Sequence, residues 1–221
     1  HEVYEAYKAG RAKVDDNLVL QLERAKDVFT AFGIPIYSHP GFEADDIIGT
    51  IVHKITNHKS QITNVEIIIA SGDMDTLQLV DDKRVQVYTL KRGLNDTILY
   101  DEKKVIERFG FSPKLLVDYN GLRGYPSDNI IGVKGIGEKT ATVLIQDFGT
   151  IENIYKNLNK VKLSDRLKNL LKENEEEALF SKTLATIRTD APIHFVLPPE
   201  WKKNIELNKL LELFQKLEFK T

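Results

Sequence analysis

A near-continuous apolar run of strand length, Val65-Glu66-Ile67-Ile68-Ile69-Ala70, lies between a polar stretch (57–64) and the turn-forming Ser71-Gly72-Asp73. Runs like this are typical of parallel strands covered by helices on both faces, since neither face then tolerates water. Helical patterns precede it. Leu18, Leu22, Ala25, Phe29 and Phe32 form one stripe, closed by Gly33 in the usual place for a C-terminal glycine. Ala44, Ile47, Ile48, Ile51 and Ile55 form a second. Ile34, Pro35, Ile36 and Tyr37 make a short strand candidate between them. Residues 84–89 and 97–100 read as a hairpin around Gly93-Leu94-Asn95-Asp96. The expected fold is α/β, with a mostly parallel central sheet flanked by helices.

Composition narrows the class. With 221 residues the chain can bury a sizeable core, and no apolar stretch is long enough to cross a bilayer. It lacks cysteine, so no disulfide is expected and the reducing cytoplasm is the default compartment. Its 31 basic and 33 acidic side chains leave a formal charge of −2, which gives no support to a simple basic nucleic-acid coat protein. An acidic cluster set among basic patches gives the same sum. The chain starts at His1 and its only methionine is Met74, so a fragment or processed product is expected.

Four stretches carry candidate chemistry. Tyr4, Tyr7, Lys8, Arg11 and Lys13 set basic residues beside aromatics, which suits a phosphate backbone and stacked bases and equally suits a solvated helix end. Glu43, Asp45 and Asp46 fall in the first turn of the second helix, where the macrodipole favours carboxylates with or without a functional role. Asp73 and Asp75 follow the carboxyl end of the apolar strand, where open α/β sheets gather ligands. Two apart in an extended segment, both could face one site; Gly-Asp pairs also form turns, and spacing alone leaves both readings open.

The fourth stretch is the most specific. Gly132-Val133-Lys134-Gly135-Ile136-Gly137 turns tightly into a helix starting near Glu138, with Lys139 and Thr140 in its first turn. N–H groups exposed at such a start can hold a phosphate, with Lys134 and Lys139 supplying charge. This is the form of a helix-hairpin-helix element, which grips the DNA backbone without reading bases. Helices are expected from Asp101 to about residue 109, from Pro113 to about 122, and then through 151–158, 163–171 and 175–187. Pro192, Pro198 and Pro199 mark a linker over 191–203, and 208–217 gives a last amphipathic helix.

The motifs Y-K-A-G-R (7–11), G-F-E-A-D-D-I-I (41–48), S-G-D-M-D-T-L-Q-L (71–79) and S-D-N-I-I-G-V-K-G-I-G-E-K-T-A (127–141) occur in this order. Together they resemble the 5′-nuclease domain of bacterial DNA polymerase I, a relative of the flap endonucleases. The resemblance spans almost the whole chain. It implies an acidic-site nuclease core over 1–111, a helical DNA-binding region over 112–190, and over 191–221 a linker and junction towards a polymerase portion. It implies hydrolysis of DNA from free 5′ ends and flaps, in the cytoplasm, by a monomer with no membrane partner.

By the same resemblance, Glu43, Asp45 and Asp46 would bind a first divalent ion, directly or through water. Asp73, Asp75 and Asp128 would complete the acidic pocket and hold a second ion. Lys8 and Arg11 match catalytic basic residues at the base of a helical arch. Gly132, Lys134, Gly135, Gly137, Lys139 and Thr140 match the loop that holds duplex DNA, often with a potassium ion on its carbonyls. Two Mg²⁺ ions, with Mn²⁺ as an alternative, suit a pocket of many carboxylates with no Cys or His.

Two features depart from the family pattern. Two further metal-binding aspartates lie upstream in the family, the first on an opening central strand, and this chain begins after them. Tyr125 stands where polymerase-type members usually carry Asp. Both favour an alternative, a DNA-binding module of the same fold without catalysis.

Overall fold

The computed structural model describes residues 7, 13–57, 62, 64–93, 95–160, 163–200 and 205–219; of Ser127 only the backbone is described. The chain forms two compact units, one containing 43–191 and the other built from 12–42 with 192–221. Among the described residues no helix is long and apolar enough to cross a membrane.

In the smaller unit, helix α1 (Asp16–Ala31) begins where the Asp15 carboxylate accepts the Asn17 N–H at 2.9 Å. Gly33 follows its end at φ 68°. The apolar stripe forms the helix but buries none of its residues fully, and Leu22 remains 57% exposed. Residues 34–37 are not a strand. Pro35 has no N–H to give a ladder, and the Ile34 N–H turns back to Phe29 O at 2.9 Å. Phe32 meets Phe214 of α9 (Leu207–Lys216) at 6.0 Å between ring centroids, and Tyr37 meets Phe195 at 5.8 Å.

The larger unit opens with α2 (Ala44–Thr56), which leads to a three-stranded sheet ordered β1-β2-β3. Strand β1 (Ile67–Ala70) pairs parallel with β2 (Val85–Arg92), Ile67 opposite Val85 and Ala70 opposite Tyr88. Strand β2 pairs antiparallel with β3 (Asp96–Tyr100), as a short hairpin connection requires, with a bulge between Leu90 and Arg92. The result is the expected α/β arrangement, a small mixed sheet flanked by helices. Strand β1 is not buried on both faces among the described residues: Ile69 is 5% exposed but Ile68 is 59% exposed.

Beyond the sheet come α3 (Glu102–Phe109), α4 (Leu116–Arg123), α5 (Glu138–Phe148), α6 (Ile151–Lys156), α7 (Asp165–Glu173) and α8 (Glu175–Ala185). Their ends carry local signals. Asp101 accepts the Lys104 N–H at 2.9 Å, and Gly110 ends α3 in the left-handed region. One apolar cluster runs from the sheet (Ile69, Val85, Val87) through Leu77 and Leu122 to Leu144, Ile154 and Leu171. Truncating a side chain buried as deeply as Leu77 costs about 2–5 kcal/mol.

Helix α4 is held tightly. A Cβ on Gly121 would lie 2.8 Å from Ile151 Cδ1 and 3.0 Å from Ala178 O, so only glycine allows α8 this close. Beside it, Asp118, 3% exposed, accepts the Ile151 N–H at 2.9 Å and pairs with Lys182 Nζ at 2.6 Å. Lys182 also reaches the exposed Glu152 at 2.8 Å, so α4, α6 and α8 share one charge network around the buried Asp118.

Candidate metal and nucleic-acid site

Glu43 is extended and precedes the first turn of α2. Asp46 reaches back with Oδ2 to accept the Glu43 N–H at 3.0 Å, while Asp45 Oδ1 accepts the Asp46 N–H at 2.9 Å. Asp46 Oδ1 accepts the Arg188 N–H at 2.8 Å. Both oxygens of Asp46 therefore serve backbone donors. The same region of chain is held again by Gln78, which accepts the Ile187 N–H at 3.0 Å, and by Thr50, whose Oγ1 accepts the Ala191 N–H at 3.0 Å.

The chain leaves β1 at Ala70 and enters a 3₁₀ turn, Met74–Leu79. Ser71 Oγ accepts the Asp73 N–H at 3.0 Å, and Asp73 Oδ1 accepts the Asp75 N–H at 2.9 Å. Asp73 is thus a turn former. It also bears on Asp75, whose carboxyl is pushed up to about 7, first by burial and then by the negative charges of Asp73, Asp128 and Asp45. A hydrogen bond from Asn120 Nδ2 to Asp75 Oδ1, 3.0 Å long, acts in the opposite direction.

Asp128 closes a second 3₁₀ turn, Pro126–Asp128, and is 4% exposed. Tyr125 and Ile130 exchange backbone hydrogen bonds of 2.8 and 3.1 Å across it, and Asn129 takes a left-handed conformation at φ 60°. Of the sequence candidates, Asp45, Asp73, Asp75 and Asp128 therefore share one electrostatic neighbourhood. Among the described residues no three such side chains form a closed metal-binding group. The donor chemistry fits a hard divalent cation: all donors are oxygens, and the negative charges of Asp73, Asp128 and Asp45 all bear on Asp75.

The glycine loop alternates between core and surface. Val133 and Ile136 are buried, whereas Lys134, Gly135 and Gly137 are exposed. The Val133 N–H donates to Leu122 O at 2.8 Å, tying the loop to α4. Gly132 is buried at φ 62° and donates its N–H to Ser181 Oγ at 3.0 Å, so that amide faces the protein interior. Gly137 precedes the first turn of α5, which carries Glu138, exposed Lys139 and half-buried Thr140. An open cavity of about 820 Å³ adjoins this helix start, lined among others by Lys139, Thr140, Tyr119 and Arg108.

Arg108 lies 5.2 Å from the Phe109 ring centroid and bonds the Tyr100 hydroxyl. Neither Arg108 nor Asn120 is marked by the motifs of the sequence. Asn120 lies on a helix that also carries Asp118 and Arg123, and Arg108 at the end of an ordinary amphipathic helix. Lys8 and Arg11 lie outside the described residues.

Residues 1–110 match the family model described as 5′-3′ exonuclease, N-terminal resolvase-like domain, and 111–205 match 5′-3′ exonuclease, C-terminal SAM fold. The DNA polymerase I of Caldicellulosiruptor bescii is 41% identical over 220 residues, covering 99% of this chain and 25% of that protein. The chain thus spans about a quarter of the length of this relative. Among solved structures, the bacteriophage T5 D15 protein co-crystallised with metal ions aligns with a TM-score of 0.68 at 20% identity, covering 98% of this chain and 78% of that one. The D15 flap endonuclease in a pseudo-enzyme-product complex with DNA and metal ions gives 0.66 at 20%, covering 98% and 77%. Two consecutive family models account for nearly the whole sequence, in the fold of the D15 nuclease, and the chain belongs to the 5′-3′ exonuclease family.

Proposed function

We propose that this chain is the nuclease portion of a DNA polymerase I, hydrolysing phosphodiester bonds at free 5′ ends and 5′ flaps during primer removal and repair. The observation that carries this reading is the setting of Asp75, a half-buried carboxylate with Asp73, Asp128 and Asp45 close enough that burial first and their negative charges next push its carboxyl up to about 7. A divalent cation bound among these carboxylates would relieve their mutual repulsion.

Glu43, Asp45, Asp73, Asp75 and Asp128 are the proposed holders of divalent ions, Mg²⁺ or Mn²⁺. Bound there, two such ions lower the pKa of an attacking water and stabilise the leaving oxygen. Asp46, with both oxygens on backbone N–H groups, is assigned a bracing role at the start of α2. Lys8 and Arg11 would polarise the scissile phosphate, as the family resemblance implies.

Lys134, Gly135, Gly137, Lys139 and Thr140 would hold a duplex backbone beside the start of α5, with K⁺ on the loop carbonyls. Residues 112–190 are accordingly the proposed DNA-holding region, the acidic core lying over 1–111 and a junction to polymerase domains over 191–221. A cytoplasmic monomer is the proposed setting.

The test is cleavage of a 5′-labelled flap duplex. The wild-type chain should cut only with Mg²⁺ or Mn²⁺ present. Asp45→Asn should lower cleavage at least 100-fold while binding the flap with nearly unchanged affinity. The lack of a closed three-carboxylate group among the described residues favours a second reading, a binding module without catalysis. On that reading, wild type and Asp45→Asn bind the flap equally and neither cuts it.

A further inference from the structure

We propose that Asn120 is a positioning residue for the metal pocket, setting which oxygen of Asp75 is offered to a divalent cation. The inference rests on the metal reading above and adds to it a residue that no motif marks.

Asn120 sits on α4, 6% exposed, 45 residues along the chain from Asp75. An ionised carboxylate can only accept, so the amide must present Nδ2, and it does so to Oδ1 at 3.0 Å. Asp75 Oδ2 makes no hydrogen bond to a described side chain, which leaves it as the oxygen available to a cation. The amide is neutral: it fixes the carboxylate without cancelling the charge that a cation needs, as a lysine or arginine there would.

Nor can Asn120 drift. The next residue, Gly121, packs α4 so closely against Ile151 and Ala178 that a Cβ there would come within 3.0 Å of both. The donor is therefore held by the core, and Asp75 by the donor. Outer-shell partners of this kind typically alter metal affinity about 10–100-fold when removed.

The experiment is Mn²⁺ binding to the full chain, read by electron paramagnetic resonance or calorimetry without DNA, so it does not depend on cleavage. Asn120→Ala should weaken Mn²⁺ binding about 10-fold. It should leave DNA affinity in EDTA unchanged. In an Asp75→Asn background the same substitution should have no further effect, because its route of action is gone. If Asn120→Ala fails to fold, Asn120→Ser replaces it; a serine hydroxyl is too short to reach Asp75, and the same loss is expected. Mn²⁺ affinity within twofold of wild type, or an equal loss in the Asp75→Asn background, would overturn the inference and leave the metal reading standing. A wild-type chain that binds no Mn²⁺ would overturn both.

Discussion

At the scale of single residues, Asp75 makes the firmest claim about solution behaviour. Burial, then Asp73, Asp128 and Asp45, raise its carboxyl from 3.8 to about 7. The folded chain therefore binds a proton that the unfolded chain releases, and folding gains from that proton at low pH. The gain is complete below about pH 4 and is lost as pH rises through about 7. In EDTA, Asp75→Asn should raise the melting temperature at pH 8 and change it little at pH 4.5. Divalent cations compete with the same proton, so their affinity for the wild-type chain should climb between pH 5 and 7 and then level. Melting curves and cation titrations across that range check both statements. The spacing of Asp73 and Asp75 allows a site or a turn. The turn is what the structure displays, Asp73 capping the one that carries Asp75 and pressing its charge on it, and the site is the reading proposed above. Asn120 was out of reach, because a bond across 45 residues depends on how a helix packs and not on local spacing.

At the scale of elements, the start of α2 is braced from far along the chain by Asp46 and the Arg188 N–H. Asp46→Ala strands that donor and removes a cap, and should cost about 1–2 kcal/mol in urea unfolding. Asp46→Asn keeps one acceptor oxygen and should cost less than half as much. Equal stability of the two variants without cations would show that these backbone bonds contribute nothing. The elements themselves were largely legible. The β2–β3 hairpin, the Asp101 cap, the Gly110 stop and α5 behind its glycine loop lie where turn chemistry and periodicity put them. Residues 34–37 were misread, since two isoleucines outweighed a proline on paper but not in a ladder. The stripe of α1 does form a helix, with none of its residues fully buried: periodicity reports a face, and says nothing of what covers it within its own unit.

For the whole molecule, the order of motifs identified the family, yet the division into two units was hidden. The smaller one joins 12–42 to 192–221, and no compositional boundary announces a discontinuous unit. Lys134 and Lys139 both stay exposed around the glycine loop, so each should contribute to duplex binding through released counterions. Replacing either with Ala should reduce the slope of log K against log salt by about 1, whatever the base sequence. A salt series on one duplex and a scrambled one decides this. Helix α4 has one more implication. Asn120 fastens it to the acidic pocket, and two residues later the Leu122 carbonyl fastens it to the glycine loop, a rise of about 3 Å along one rigid cylinder. Under the proposed function that cylinder is a ruler: the place where a strand is cut keeps a constant offset, in nucleotides, from the place where the duplex is gripped.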